Sequence, residues 1–412
     1  MEYINKLAEN PYGKHIGNEL KYVTDVLDSE NRESRSNPYV GRLEDKFSKS
    51  IGAKYAIAHN SGTATLHTCL AAAGVGPGDE VISPAHTVIM CTFAILHQNA
   101  TPVYADIEPD TFNIDPDDIE RKITKRTKAI IAVHMHGLPC DMTRIMNIAK
   151  KHNIVVIEDS AQCVMGSING KYTGLLGDMA SFSFETKKHL SAGEGGMVIT
   201  NNKKYATVVR KGGGLGYKTL AADQALRAIL PEEFQNPNYK RHDTVGWNYR
   251  MNELTAAVAL AQLERVKDLV SKRQKVAEFF LEAINDCDWL IPQKSPKGFT
   301  NTYWTFTILY FGDDRLSISW QEFWMKYKEM GGDGFYGGLS VVYQEPVISD
   351  GTYIDKICGS SNGVNLVFEG TCPNAESLQP RMMQFKTNYR NLNIAKVQAK
   401  ILEDTIDFFR KI

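Results

Sequence analysis

Between residues 54 and 200 the chain alternates short apolar runs with segments whose apolar positions recur at helical spacing. The runs are "KYAIAH", "EVIS", "PVYAD", "KAIIAVH" and "IVVIED", and the segments "GTATLHTCLAAAG", "TVIMCTFAILHQ" and "MTRIMNIAKKH" lie among them. A strand, a helix and a second strand in succession return the chain to one sheet in the same direction, by a right-handed crossover. The helices then cover both faces of that sheet, so its strands read as continuously apolar. "MASFSF" and "GMVIT" supply two further strands. The pattern predicts an α/β fold: a mostly parallel central sheet covered by helices.

From "RMNELTAAVALAQLERVKDLVSKRQKVAEFFLEAIND" a helical pattern runs to about residue 286, longer than one ordinary helix. A break or bend is expected there, marking the exit from the first domain. The strand-like "YWTFTILYF" follows, then an amphipathic segment around Trp324, an irregular glycine-rich region from Gly331 to Pro373, and a last helix, "IAKVQAKILEDTIDFF". We therefore expect a large domain over residues 1–262 and a smaller C-terminal α/β domain over residues 263–412.

Charge excludes some partners. With 47 Lys and Arg against 48 Asp and Glu, the net charge is -1, and no general attraction to nucleic acid or an anionic membrane follows. The seven cysteines form no CxxC pair, so neither a disulfide framework nor a zinc site is expected, and no metal site is proposed. "MEYINKLAENPYGKH" has no basic segment leading into an apolar one, and no run approaches a membrane span. A cytoplasmic protein is expected.

Ligands of open α/β sheets collect at the carboxyl ends of the strands, and four stretches fall there. In "HNSGTATLH", Ser61, Gly62 and Thr63 open a helix; such a turn either cradles an anion on its free N–H groups or is a plain helix cap. In "IVVIEDSAQ", Asp159 ends a buried strand, where a carboxylate holds a ligand cation or caps the next turn. In "SFSFETKKHLSAGEGG" two lysines precede a glycine-rich turn. They are either solvated loop residues or include a desolvated, nucleophilic amine. In "GWNYRMNEL", Asn248 and Arg250 either bind an anion or Asn248 starts the next helix.

One cofactor needs an anion cradle, a carboxylate for its pyridine nitrogen and a lysine for its aldehyde: pyridoxal phosphate. The chain offers all three in that order. Its motifs resemble those of the DegT-type sugar-nucleotide aminotransferases, a branch of the fold-type I pyridoxal phosphate enzymes. The resemblance runs from "NPYVGRLEDKFSKSIGAKYAIAHNSGTATLH" through "HMHGLPCDM", "IEDSAQ" and "TKKHLSAGEGGMV" to "GWNYRMNELTAAVALAQLERV".

The resemblance implies that Lys188, five positions before Gly193, carries the cofactor as a Schiff base, while Lys187 points away. It implies that Asp159 pairs with the pyridine nitrogen, that Gln162 lies beside the ring, and that Gly62, Thr63 and Ser183 hold the phosphate, with Ser61 in the same turn. Asn248 matches a residue that reaches the phosphate of the other subunit, so a homodimer with shared sites is implied. The family's aromatic ring-stacking residue aligns with Val88 in "SPAHTVIMC"; His86, two residues away, is the alternative stacking group.

The activity implied is transfer of an amino group from glutamate, leaving 2-oxoglutarate, to a nucleotide-linked keto sugar. The acceptor would be a 4-keto-6-deoxyhexose or its 3-keto isomer, in amino-sugar synthesis for a cell-surface polysaccharide such as lipopolysaccharide. Two alternatives stand beside it. A sister group of sugar dehydratases carries histidine in place of the lysine, and His189 adjoins the site. A regulatory protein could keep the fold without catalysis.

Overall fold

The alternation resolves into β1 (Tyr55–His59), β2 (Glu80–Pro84), β3 (Thr101–Ala105), β4 (Thr127–Val133) and β5 (Val155–Asp159). The short strands β6 (Ser167–Ile168) and β7 (Lys171–Tyr172) follow, then β8 (Met179–Ser183) and β9 (Gly196–Thr200). The structure is a computed structural model and describes residues 16–28, 38–223, 231–349 and 370–411.

Seven of these strands form one sheet in the order β1-β9-β8-β5-β4-β2-β3. The pairs β2/β3, β2/β4, β4/β5 and β5/β8 are parallel, whereas β9 runs against both β8 and β1. A parallel return needs a crossover, usually helical. Residues 184–195 contain no helix and fold back directly, with Phe184 N–H on the Gly195 carbonyl at 2.9 Å and Ala192 N–H on the Phe184 carbonyl at 2.8 Å. This turn brings Gly196, the first residue of β9, to the carboxyl edge of the other strands.

Side chains alternate across the sheet as strand geometry requires. In β4, Ala129, Ile131 and Val133 enter one core, and Ile130 and Ala132 enter the other. In β9, Val198 faces one way and Met197 and Ile199 the other. Both faces are dry, as the apolar runs demand.

The long helical pattern splits where a break was expected: helices Glu253–Leu263 and Val266–Ala283 meet at Glu264 and Arg265. The first packs Ala256, Ala257 and Leu260 onto the β8/β9 side of the sheet. The second turns Val276, Ala277 and Phe280 toward another core. That core lies on an antiparallel sheet, β10-β12-β14-β13, built from β10 (Leu290–Pro292), β12 (Thr305–Tyr310), β13 (Tyr336–Gly337) and β14 (Met382–Lys386). Helix Leu392–Arg410 buries Ala395, Ala399, Leu402 and Ile406 against it. Strand β11 (Phe299–Thr300) pairs with β6 in a separate three-stranded sheet, β11-β6-β7, tying this part of the chain to the segment between β5 and β8.

Of the glycine-rich region, residues 350–369 lie outside the described residues; β13, the short helix Pro346–Ser349 and part of helix Pro373–Leu378 make up much of the rest. Among the described residues no helix is long and apolar enough to cross a membrane.

Candidate active site

Helix Gly62–Ala72 starts directly after β1. Ser61 is its N-cap, its Oγ accepting the Ala64 N–H at 3.1 Å, an interaction worth about 1 kcal/mol. The capping role is therefore real, but it leaves the first-turn N–H groups of Gly62 and Thr63 without intrahelical acceptors. The turn lies against the end of β8. A Cβ on Gly62 would stand 2.8 Å from Ser183 Cβ and 3.2 Å from Ser183 Oγ, so only glycine lets the turn approach the serine this closely. The Thr65 hydroxyl locks the arrangement, reaching both the Gly62 carbonyl and Ser181 Oγ at 2.6 Å. Gly196 closes the other side: its Cβ would lie 2.7 Å from the Ser61 carbonyl oxygen. The helix N-terminus and the Ser183 hydroxyl thus lie side by side, a setting suited to an anion such as phosphate.

Asp159 ends β5 and is buried. Its Oδ1 accepts the Ala161 N–H at 3.0 Å, and Cys91 Sγ approaches Oδ2 at 3.5 Å. Burial raises its pKa above the ordinary carboxyl value, while the Ala161 N–H, the Lys188 charge, Cys91 and His134 pull it down. Such a carboxylate is short of positive partners and suited to a ligand cation.

Lys188 follows β8 through a tight turn in which its N–H bonds the Glu185 carbonyl at 2.9 Å. Its Nζ lies 4.5 Å from the centroid of the Trp304 ring. The side chain keeps some exposed surface, but crowding at the amine lowers its pKa, against the opposing pull of Asp159 and Glu185. Lys187 is exposed, with Nζ 5.7 Å from the Tyr336 ring. The two lysines therefore sit in different surroundings.

Arg273, on helix Val266–Ala283, fastens this turn from below. Its Nη2 donates to the Lys187 carbonyl at 2.9 Å and the Lys188 carbonyl at 3.3 Å, and its Nη1 to the Trp304 carbonyl at 2.7 Å. Trp304 Nε1 adds a bond to the Lys187 carbonyl at 3.1 Å. Desolvation brings the Arg273 pKa down to about 9.

Gln162 is buried, and its Oε1 accepts the His136 N–H at 2.8 Å. His86 is also buried, with neither ring nitrogen partnered among the described residues. Val88 is half-buried, packed against the core that includes Leu66, Cys91 and Ile157. Asn248 is exposed; its Oδ1 accepts Arg250 Nε at 3.0 Å and its carbonyl accepts Asn60 Nδ2 at 3.4 Å. It does not start the next helix: Asn252 caps that helix, accepting the Thr255 N–H at 2.9 Å. A separate cavity lined by Glu44, His59, Arg210 and Arg250 includes none of Lys188, Asp159 or Ser183 and so does not carry this chemistry.

Several of the buried polar atoms without partners among the described residues belong to residues at or just beyond the carboxyl ends of β2, β4, β5 and β8: Ser83 Oγ, both nitrogens of His86, His136 Nε2, Ser160 Oγ and His189 Nδ1. Buried polar groups normally have partners, so this concentration marks a place built for a polar ligand. Phosphate cradle, buried carboxylate and desolvated lysine fit pyridoxal phosphate together. Trp304 and Arg273, which hold the lysine turn, and Cys91, which touches Asp159, were not anticipated from sequence.

The sequence pattern of the DegT/DnrJ/EryC1/StrS aminotransferases matches residues 14–389. The chain belongs to that family. It is a pyridoxal-phosphate-dependent aminotransferase of fold type I, its large sheet mostly parallel as expected. A protein of Escherichia coli O157:H7 described as GDP-perosamine synthase is 39% identical over 295 residues, 71% of this chain and 75% of its own length. A Geobacillus stearothermophilus protein described as a pleiotropic regulatory protein is 36% identical over 288 residues, 69% of this chain and 72% of its own. Among solved structures, the aminotransferase from Psychrobacter cryohalolentis superposes with a TM-score of 0.81 at 29% identity, covering 95% of both chains.

Proposed function

We propose that this aminotransferase moves an amino group from glutamate to a nucleotide-linked 4-keto-6-deoxyhexose or its 3-keto isomer, forming an amino sugar for a cell-surface polysaccharide. The observation that carries the catalytic part is the Lys188 amine held above Trp304 and within electrostatic reach of Asp159. The likeness to a GDP-perosamine synthase supports the acceptor class.

When bound, pyridoxal phosphate supplies the electron sink for deprotonating an amino acid's α-carbon. Gly62, Thr63 and Ser183 would hold its phosphate, with Asn248 of a second copy as a further donor. Asp159 would keep its pyridine nitrogen protonated. Gln162 would lie beside its ring, with Val88 or His86 on its face. Lys188 would hold its aldehyde and, as a free amine, would carry the proton at Nζ; a lowered pKa leaves more of that amine neutral and able to accept it. The same residues act in reverse on the keto sugar.

The arrangement argues against the dehydratase reading. His189 turns its Nε2 to the Thr302 carbonyl at 2.9 Å, and Lys188 occupies the position above Trp304. A regulatory role without catalysis leaves the desolvated lysine and carboxylate unexplained. Titrating the cofactor-loaded protein with glutamate tests the proposal: the cofactor's visible absorption should move to shorter wavelength as the amino group is taken up, and an unchanged spectrum would contradict it.

A further inference from the structure

His136 combines features that do not coincide in an ordinary core residue. It is buried, its backbone adopts a left-handed φ of 60°, and its Nε2 has no partner among the described residues. Left-handed backbone is unfavourable for a residue with a Cβ, and a buried unmet nitrogen is unfavourable again. Such strain, observed rather than assumed, points to function.

The surroundings show where Nε2 is available. The His136 N–H is held by Gln162 Oε1 at 2.8 Å, and its Nδ1 meets Thr305 Oγ1 at 3.1 Å. Thr305 follows Trp304, the residue beneath the Lys188 amine. The His86 ring faces His136 with centroids 6.0 Å apart and a 43° tilt. Burial is not an obstacle to a ligand here, because Asp159 and Gln162, bonded to the His134 and His136 N–H groups of the same turn, are buried to a similar degree.

Charge decides the ligand class. Burial takes His86 down to about 4, and burial and the neighbouring His86 take His136 well below its ordinary value, so both rings are neutral at physiological pH. A neutral imidazole offers one N–H and one lone pair. That suits a hydroxyl, which both donates and accepts. A carboxylate or phosphate would be met by only one of the two tautomers.

We infer that His136, with His86 opposite, reads a hydroxyl of the acceptor sugar next to the carbon that is aminated, and takes no part in recognising the amino donor. The inference rests on the aminotransferase reading above.

The test separates the two half-reactions. His136→Asn tolerates the left-handed backbone and can keep the Thr305 bond but lacks the reach of Nε2; His136→Gln restores an amide N–H near that position. With glutamate, the His136→Asn half-reaction should slow less than about threefold, and cofactor affinity should hold. With a GDP-linked 4-keto-6-deoxyhexose as probe, its kcat/KM should fall about tenfold, the loss of one hydrogen bond, and His136→Gln should recover most of it. Equal slowing of both half-reactions would overturn the inference by placing His136 on the cofactor, as would an unaffected acceptor step. If His136→Asn does not fold, the natural protein with a probe lacking the hydroxyl beside its carbonyl gives the answer: about a tenfold loss is expected, and none would overturn the inference. A natural protein unresponsive to glutamate would overturn the aminotransferase reading itself.

Discussion

Asp159 is paired with too little positive charge for the burial it suffers, and that imbalance makes opposite predictions for stability and activity. Its folded pKa is raised, so its contribution to stability is full below the unfolded value of about 3.9 and is lost as pH rises through the folded value. In the cofactor-free protein, Asp159→Asn should therefore melt no lower than the natural protein at pH 8, and its relative advantage should shrink toward pH 5. Turnover should nevertheless drop by about a hundredfold or more, because an amide cannot hold the pyridine nitrogen protonated. Thermal melts and steady-state rates check the two halves. The second prediction at this scale concerns the lysine pair: borohydride reduction of the loaded protein and peptide mapping should find the cofactor's ring on Lys188, and a label on Lys187 would contradict the assignment. Asp159 and Lys188 were legible in sequence because each sits in a short motif at a strand end. Trp304, Arg273 and His136 were not. Trp304 and Arg273 reach the lysine turn from distant parts of the chain, and no local pattern encodes a tertiary contact of that kind. The role of His136 shows only once its φ and unpartnered nitrogen are known.

The turn between β1 and helix Gly62–Ala72 gains its function from close approach. Gly62→Ala would drive a methyl to 2.8 Å from Ser183 Cβ, an overpacked contact that should destabilise the protein by about 1–3 kcal/mol and weaken cofactor binding severalfold. Adding Ser183→Gly should return stability without returning affinity, since it removes both the collision and the hydroxyl; denaturation midpoints and fluorescence titration with the cofactor would show it. Restored affinity in the double variant would mean that Ser183 does not hold the phosphate. Elements of this kind read well from sequence: the apolar runs became β1 to β5, β8 and β9, and the long helix broke at Glu264 and Arg265. The reversed direction of β9 was not specified by its composition. It follows from residues 184–195, which offer no crossover helix.

For the whole molecule, the exposed position of Asn248 has a consequence for assembly. Among the described residues it bonds Arg250 and Asn60, not Gly62 or Ser183 of its own chain, which suits a donor presented to a second copy. A closed two-fold dimer would complete both sites at once. Mixing inactive Lys188→Ala and Asn248→Asp chains should then regenerate one competent site per heterodimer; no activity after proven subunit exchange would count against sharing. The doubly covered sheet was legible from the sequence because burial on both faces leaves continuous apolar runs. The substrate end was less legible, because residues 331–373 carry no pattern of their own and sugar recognition depends on groups such as His136 that the fold brings in from elsewhere. The central claim is that nitrogen passes through this site from an amino acid to a sugar. Incubation of the pyridoxal-phosphate-loaded protein with 15N-glutamate and a GDP-linked 4-keto-6-deoxyhexose, followed by mass spectrometry, tests it most directly. A GDP-linked amino sugar carrying 15N, absent with Lys188→Ala, is the predicted result, and a deoxygenated sugar without nitrogen, or no sugar product from any nucleotide-linked keto sugar in a panel, would contradict it.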